Sequence, residues 1–295
     1  MLRRIFQGIA LVVAVCLTVL AVPGAANAAA PKRKNSNTET IYLVHGIKDP
    51  SKVGNAGYYN CGDLWSNAKW TLRHEGWKGN FRTFGYYGRD SNCDKKVNGT
   101  YNSRIQWVGL QLAWDIYNNY SRHGKSVDVL AHSMGGLVIR AAITGVQKKA
   151  KTQWGKFPPY LYVEDAVTLS TPHSGTNWAT ACLIADGYEQ CSDMRPKSGF
   201  LKWLNQNPQS NMGTDWTLIG SSDDDTVTSG SATGMTAKHK VIYFGHQGLE
   251  HMSMIFKWNG SFKLKANNGR GWKTSTGAPP PVGWAESALY FQSLL

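Results

Sequence analysis

The sequence is poor in acidic residues, with 19 Asp and Glu against 32 Lys and Arg, and charged residues fill only 17% of its 295 positions. That low charge density, beside 42% hydrophobic residues, excludes a disordered chain and leaves enough apolar surface for a sizeable core. Long apolar runs are scarce as well. A single stretch, at the amino terminus, approaches the length of a membrane span, which excludes a polytopic membrane protein. No internal repeat is visible, and the cysteines lack the spacing of a zinc site, so no metal is expected. The positive excess comes without a nucleic-acid reading motif. Lys32-Arg33-Lys34 and Lys148-Lys149-Lys151 are the dense clusters and the other cations are scattered. A solvated basic surface able to associate weakly with anionic surfaces is expected, and no nucleic-acid partner.

What the amino terminus does contain is directional. Arg3 and Arg4 precede an uncharged apolar run over 5–22, Pro23 and Gly24 break it, and Ala26-Asn27-Ala28 follows. This order is that of a secretory signal peptide spanning 1–28, cleaved after Ala28 or after Ala30, with an uncleaved anchor as the alternative. The mature protein is thus expected to be secreted and extracellular, with a net charge of +11 once the two arginines are gone. Residues 29–39 form a basic polar lead-in, and 40–295 are expected to form one domain.

Cys16 lies inside the apolar run, which leaves Cys61, Cys93, Cys182 and Cys191. An even count in an exported chain implies two disulfides, with three possible connectivities.

Strand composition marks 40–45, 80–87, 126–131, 160–170, 216–220 and 240–245; helical spacing marks 63–74, 104–123, 134–150 and 252–258. Strands alternating with helices give βαβ units, a mostly parallel sheet with helices on both faces, and ligand binding beyond the carboxyl ends of the strands. Cys61 and Cys93 then sit in loops opening on one rim, and Cys182 and Cys191 share a rim insertion over about 177–212. That favours the pairs Cys61–Cys93 and Cys182–Cys191. The insertion, with Trp178, Leu183, Ile184, Tyr188, Phe200 and Trp203, reads equally as a lid lining a groove or as ordinary packing. Residues 267–283, rich in Gly, Pro and Ser, read as a wrapped surface tail.

The segment Ala131-His132-Ser133-Met134-Gly135-Gly136 carries the chemistry. Ser133 lies between a buried strand and an amphipathic helix, with small residues two positions away on each side. A sharp strand-to-helix turn needs that relief, lifts the hydroxyl to the rim and aims backbone N–H groups at developing negative charge. A serine at such a junction also serves as a plain helix N-cap.

Here the sequence resembles the α/β-hydrolase fold, and within it the small bacterial lipases and esterases, with Ala131 in place of the first glycine of G-x-S-x-G. The resemblance covers roughly residues 40–258. It implies a nucleophile, Ser133, followed in chain order by an acid and then a histidine. The family pattern Asp-x-x-Val selects Asp224 ahead of Val227 as the acid, with Asp225 second and Asp223 third. For the base it selects His251, which immediately precedes the last predicted helix, with His246 as the alternative. Oxyanion donors are implied at the N–H of Met134 and, after His45-Gly46, of Ile47. Ser170-Thr171-Pro172-His173 resembles a rim turn in which His173 is structural. Met194, Ser198, Phe200, Leu201, Leu204 and Asn205 resemble a helix packed beside the pocket, as core more than as ligand contacts.

The resemblance implies a serine carboxylic-ester hydrolase acting on an ester or lipid substrate, without metal or organic cofactor. A phospholipase, polyester depolymerase, acyltransferase or peptidase would use the same triad. A non-catalytic binder of envelope or polysaccharide would instead use the 12 tryptophans and the positive charge. Oligomeric state is not legible.

Overall fold

Ile41–Val44 (β1) turns Ile41 and Leu43 to one side and Tyr42 and Val44 to the other, and all four are fully buried. A strand apolar on both faces must lie inside a sheet covered on both sides. A computed structural model describes residues 30–48 and 56–290 of the chain; the expected signal peptide, Cys16 included, lies outside the described residues. None of the described helices is long and apolar enough to cross a membrane.

After β1 come three short helices, Ala56–Tyr59 (α1), Cys61–Leu64 (α2) and Ser66–His74 (α3), then Phe81–Gly85 (β2) and Lys95–Lys96 (β3). Ile105–Asn119 (α4) leads to Val127–His132 (β4) and Met134–Gln147 (α5). A small hairpin, Lys151–Thr152 (β5) and Gly155–Lys156 (β6), precedes Val163–Leu169 (β7). The rim insertion is helical: Asn177–Asp186 (α6), Glu189–Met194 (α7) and Gly199–Trp203 (α8). The chain closes with Asp215–Ser221 (β8), Ser229–Ala232 (α9), His239–Tyr243 (β9), Ser253–Phe256 (α10), Phe262–Asn268 (β10), Trp272–Ala278 (β11) and Pro281–Tyr290 (α11).

The main sheet runs β11-β10-β9-β8-β7-β4-β1-β2-β3. Strands β3 to β9 in that order are parallel, and β10 and β11 add an antiparallel edge. One apolar cluster, with α4 and α5, covers one face; the second, with α3, α10 and α11, covers the other. In α4, Ile105, Val108, Leu112 and Ile116 recur at helical spacing and are fully buried. Asp115, on the same side, accepts hydrogen bonds from Tyr42 Oη at 2.8 Å and Arg82 Nε at 2.9 Å.

The order has one consequence for function. From β1 the chain moves outward to β2 and β3, then returns to β4 on the other flank of β1. The carboxyl ends of β1 and β4 therefore border the crevice where direction reverses, the place where open α/β sheets bind ligands. Val44 pairs with Ala131, so the segments after β1 and β4 emerge side by side.

Disulfides join Cys61 to Cys93 and Cys182 to Cys191, with Cα atoms 5.0 and 5.9 Å apart. The first ties α2 to the loop before β3; the second ties α6 to α7.

Several elements differ from the sequence reading. The helix expected over 63–74 breaks at Trp65 into α2 and α3, and 104–123 ends at Asn119 before a 3-10 turn, Ser121–His123, closed by Gly124 at φ 69°. Most of the stretch read as a surface tail is structural. Asn267 and Asn268 belong to β10, 272–278 form β11, and Pro281 begins a helix whose Val282, Ala285 and Leu289 enter the core. The basic lead-in is docked: Arg33 Nη2 lies 2.6 Å from Asp165 Oδ1, and the N–H groups of Lys34 and Asn35 both reach Glu164 Oε1 at 2.7 Å.

Candidate active site

Ser133 stands at the corner between β4 and α5 with φ 55° and ψ −132°, a left-handed conformation that a side chain rarely adopts. Its N–H is held by Leu169 O at 2.9 Å, and its hydroxyl makes no capping bond to α5. The N-cap reading therefore fails, and the hydroxyl is left for another partner. Close approach around the corner is extreme. A Cβ at Gly135 would lie 2.2 Å from Val44 O, so only glycine lets α5 start against β1.

The partner of Ser133 comes from the loop after β9. His251 Nε2 lies 2.9 Å from Ser133 Oγ, and His251 Nδ1 lies 2.8 Å from Asp224 Oδ2. With a carboxylate at Nδ1, that nitrogen carries the proton, and Nε2 is left to accept from the serine hydroxyl. Asp224 is buried at the carboxyl end of β8, and its Oδ1 accepts from the N–H groups of Thr226 and Val227 at 3.0 and 2.8 Å. Burial pushes its pKa up, but the hydrogen bond and charge of His251 and the N–H of Val227 outweigh this and hold it below the usual carboxylate value.

The two neighbouring aspartates have other work. Asp223 accepts from the N–H groups of His246, Gln247 and Leu249, clamping the loop that ends at His251. Asp225 is exposed and accepts from the Thr226 hydroxyl at 3.3 Å. His246 is exposed, at φ 62°, and lies outside the serine–histidine contact. The geometry thus brings together Ser133, His251 and Asp224, and leaves Asp225 and His246 apart.

Met134 N–H opens α5, where the first donors of a helix have no intrahelical acceptor, and Ile47 follows Gly46 across the crevice. Among the described residues, neither N–H donates a hydrogen bond within the protein. Beneath Ile47 lies an arrangement that sequence reasoning missed. Buried His45 Nε2 meets Asp90 Oδ2 at 3.0 Å, the His45 ring stacks on Tyr86 at 4.2 Å, and Tyr86 Oη lies 2.8 Å from Gly46 O. Asp90 also accepts from the N–H groups of Tyr86 and Tyr87 at 2.8 and 2.9 Å. Burial would raise its pKa, but the charge and hydrogen bond of His45 hold it low. Nothing in the sequence marks Asp90 as buried, because its partner lies 45 residues away.

His132 was also missed. Its Nε2 donates to the backbone carbonyl of His251 at 2.9 Å, and the two rings lie 4.8 Å apart. Burial, with the neighbouring His251, pushes its pKa down to about 3, so it stays a neutral donor. Buried His173 bonds Thr168 Oγ1 at 3.0 Å, and its carbonyl accepts from Arg140 of α5, a structural role at the rim. Phe200, Leu201 and Leu204 are core, whereas Met194 is core and cavity wall at once.

Ser133 and His251 open into a cavity of about 190 Å³ whose apolar wall includes Ile47, Leu64, Trp178, Met194, Val227 and Met252. The insertion contributes Trp178 and Met194, and outside the cavity α6 exposes Ile184 at 83%.

A parallel sheet of this order, with a strained serine corner at its reversal point, defines the α/β-hydrolase fold in its esterase- and lipase-like form. The comparisons with known proteins agree at that level. The family model described as "Putative serine esterase (DUF676)" matches residues 90–203. Phospholipase PlaB from Legionella pneumophila, in complex with thio-NAD, is similar in fold at 12% identity, over 87% of this chain and 59% of that one, with a TM-score of 0.50. The propeptide form of the Bacillus licheniformis lipase BlEst2 aligns at 17% identity over 76% of this chain and 49% of that one, with a TM-score of 0.45. The chain thus spans about half to three-fifths of those two proteins. No curated protein matches the sequence.

Proposed function

We propose that the protein is a secreted serine carboxylic-ester hydrolase of lipase or esterase type, with Ser133 as nucleophile, His251 as base and Asp224 as orienting acid. The observation that carries this reading is the unbroken line Ser133–His251–Asp224, with both contacts under 3 Å, at a strained corner. Ser133 Oγ attacks the ester carbonyl carbon while His251 Nε2 takes its proton. The carbonyl oxygen becomes an oxyanion, received by the N–H groups of Ile47 and Met134. Collapse expels the alcohol, which leaves with the proton from His251, and an acyl-serine remains. Water, deprotonated by His251, attacks that ester; the acid departs and Ser133 regains its proton. Asp224 stays ionised throughout and supports the imidazolium.

The cavity is smaller than the roughly 300–1,000 Å³ of pockets for drug-sized ligands, which supports a short acyl group. Export is supported by the sequence of 1–28 and suits a twice-disulfide-bonded chain. Association with anionic surfaces is supported by β10 and its turn, where Lys263, Lys265 and Arg270 fall in a stretch, 251–285, that has no acidic residue in the sequence.

The test is a series of p-nitrophenyl esters of increasing acyl length. Hydrolysis that is fastest for the short members and falls for long chains is expected. A purified mature protein inert on all of them would overturn the reading.

A further inference from the structure

A second cavity, of about 630 Å³, shares no lining residue with the first. It lies between the start of α4, the β5–β6 hairpin and Glu189 at the head of α7. Its wall is polar throughout except for one indole, that of Trp154.

Trp154 sits in the turn of the hairpin, where its N–H bonds Thr152 Oγ1 at 3.2 Å. Thr152 Oγ1 also donates to Gly155 O at 3.0 Å, and Trp114 Nε1 of α4 donates to Lys156 O at 2.8 Å. The hairpin is therefore pinned to α4 by its backbone, not by the Trp154 ring. That ring is 37% exposed and, among the described residues, stacks on no other aromatic ring. An indole on a hydrogen-bonded turn that keeps part of its face open to solvent is a surface for a ligand with an apolar face.

The polar groups opposite narrow the ligand. Among the described residues the amides of Gln106 and Gln153 make no hydrogen bond within the protein, so each offers a donor and an acceptor. Arg104 is already bound by Glu189 Oε2 at 2.5 Å and Asp193 Oδ1 at 2.8 Å, so its charge is spoken for. A phosphate would want uncompensated cations, and here only Lys151 is left for it. A lipid chain would want an apolar wall, and one indole does not make one. A pyranose ring meets both features: its C–H face stacks on an aromatic ring, and its hydroxyls donate and accept in the plane.

We propose that this cavity is a carbohydrate-binding site that seats a pyranose unit of a polysaccharide on Trp154, with hydroxyls bound by Gln106, Gln153 and the outer edge of the Arg104–Glu189 pair. The site stands independently of the ester-hydrolase reading.

The experiment is titration calorimetry of the mature protein with cellohexaose, xylohexaose, chitohexaose and maltohexaose. At least one hexaose binds the wild type. Trp154→Ala weakens that binding by about tenfold or more, a change of ~1.4 kcal/mol, and the double variant Gln106→Ala/Gln153→Ala weakens it several-fold. Trp272→Ala, which removes an exposed indole of β11, leaves it unchanged. Thermal unfolding of each variant, compared with the wild type, establishes that the chain is folded. Absence of binding to all four hexaoses overturns the proposal. So does binding that survives both Trp154→Ala and the glutamine pair, or displacement of the hexaose by inorganic phosphate.

Discussion

A Cβ placed on Gly46 would lie 2.5 Å from Ser133 Cβ and 2.9 Å from Ser133 Oγ. The residue after His45 is thus the floor on which the serine side chain rests, and the adjacency of β1 and β4 is what brings them together. Gly46→Ala should displace the hydroxyl from His251 and lower kcat by on the order of 10²-fold, the usual result of a misplacement near 1 Å. The check is ester turnover beside the melting temperature; a fully active Gly46→Ala protein would contradict this packing.

Three consecutive aspartates divide three ways. Asp224→Asn should cost about 10⁴-fold in kcat with the fold intact, as expected when a triad loses its orienting carboxylate. Asp223→Asn should lower the melting temperature, because one of the two oxygens that hold three backbone N–H groups of the 246–249 loop becomes an NH2 that cannot accept, and lower activity to a smaller degree. Asp225→Asn should leave both near wild type. Kinetics and thermal melts on the three single variants separate these outcomes.

His132 lines the cavity beside Ser133 and positions His251 through its backbone carbonyl, and none of its described hydrogen bonds reaches Ser133 Oγ. His132→Phe should reduce kcat by about five- to tenfold, the worth of one hydrogen bond, with KM little changed. His132→Gln, which keeps a donor, should recover part of the loss. A KM effect with kcat intact would assign His132 to substrate binding in the cavity it lines, not to positioning of His251.

Glu286 in α11 has its pKa raised to about 7 by burial and by the neighbouring charge of Glu75. The folded protein therefore holds a proton that the unfolded chain has released between about pH 4.5 and 7. Stability attributed to this group is full below the lower value and falls as pH rises to the upper one. Glu286→Gln should raise the melting temperature at pH 8, leave it unchanged at pH 4, and flatten the profile between. Denaturation curves at the two pH values measure this.

Chain order and local pattern made much of the candidate site legible. The corner at Ser133 is marked by its own neighbours, and composition picks out the strands ahead of Asp224 and His251, but the choice of those two over Asp225 and His246 came from the resemblance to lipases and esterases. The positioning partners were not legible, because each is defined by a contact across the chain. His45 meets Asp90 from 45 residues away, and His132 reaches the carbonyl of a residue 119 positions downstream. The edge hairpin failed for a similar reason. Residues 272–277 carry Lys, Thr, Ser and Gly without an apolar alternation, and β11 exists through its ladder with β10. The helix at 281–290 was hidden behind three prolines that read as a tail.

The most direct measurement is mass spectrometry of the protein, produced without residues 1–28, after treatment with a p-nitrophenyl alkylphosphonate. Stoichiometric phosphonylation of Ser133 that falls by orders of magnitude in His251→Ala and persists in His246→Ala is the predicted result. An unmodified Ser133, or labelling that ignores His251, would contradict the account.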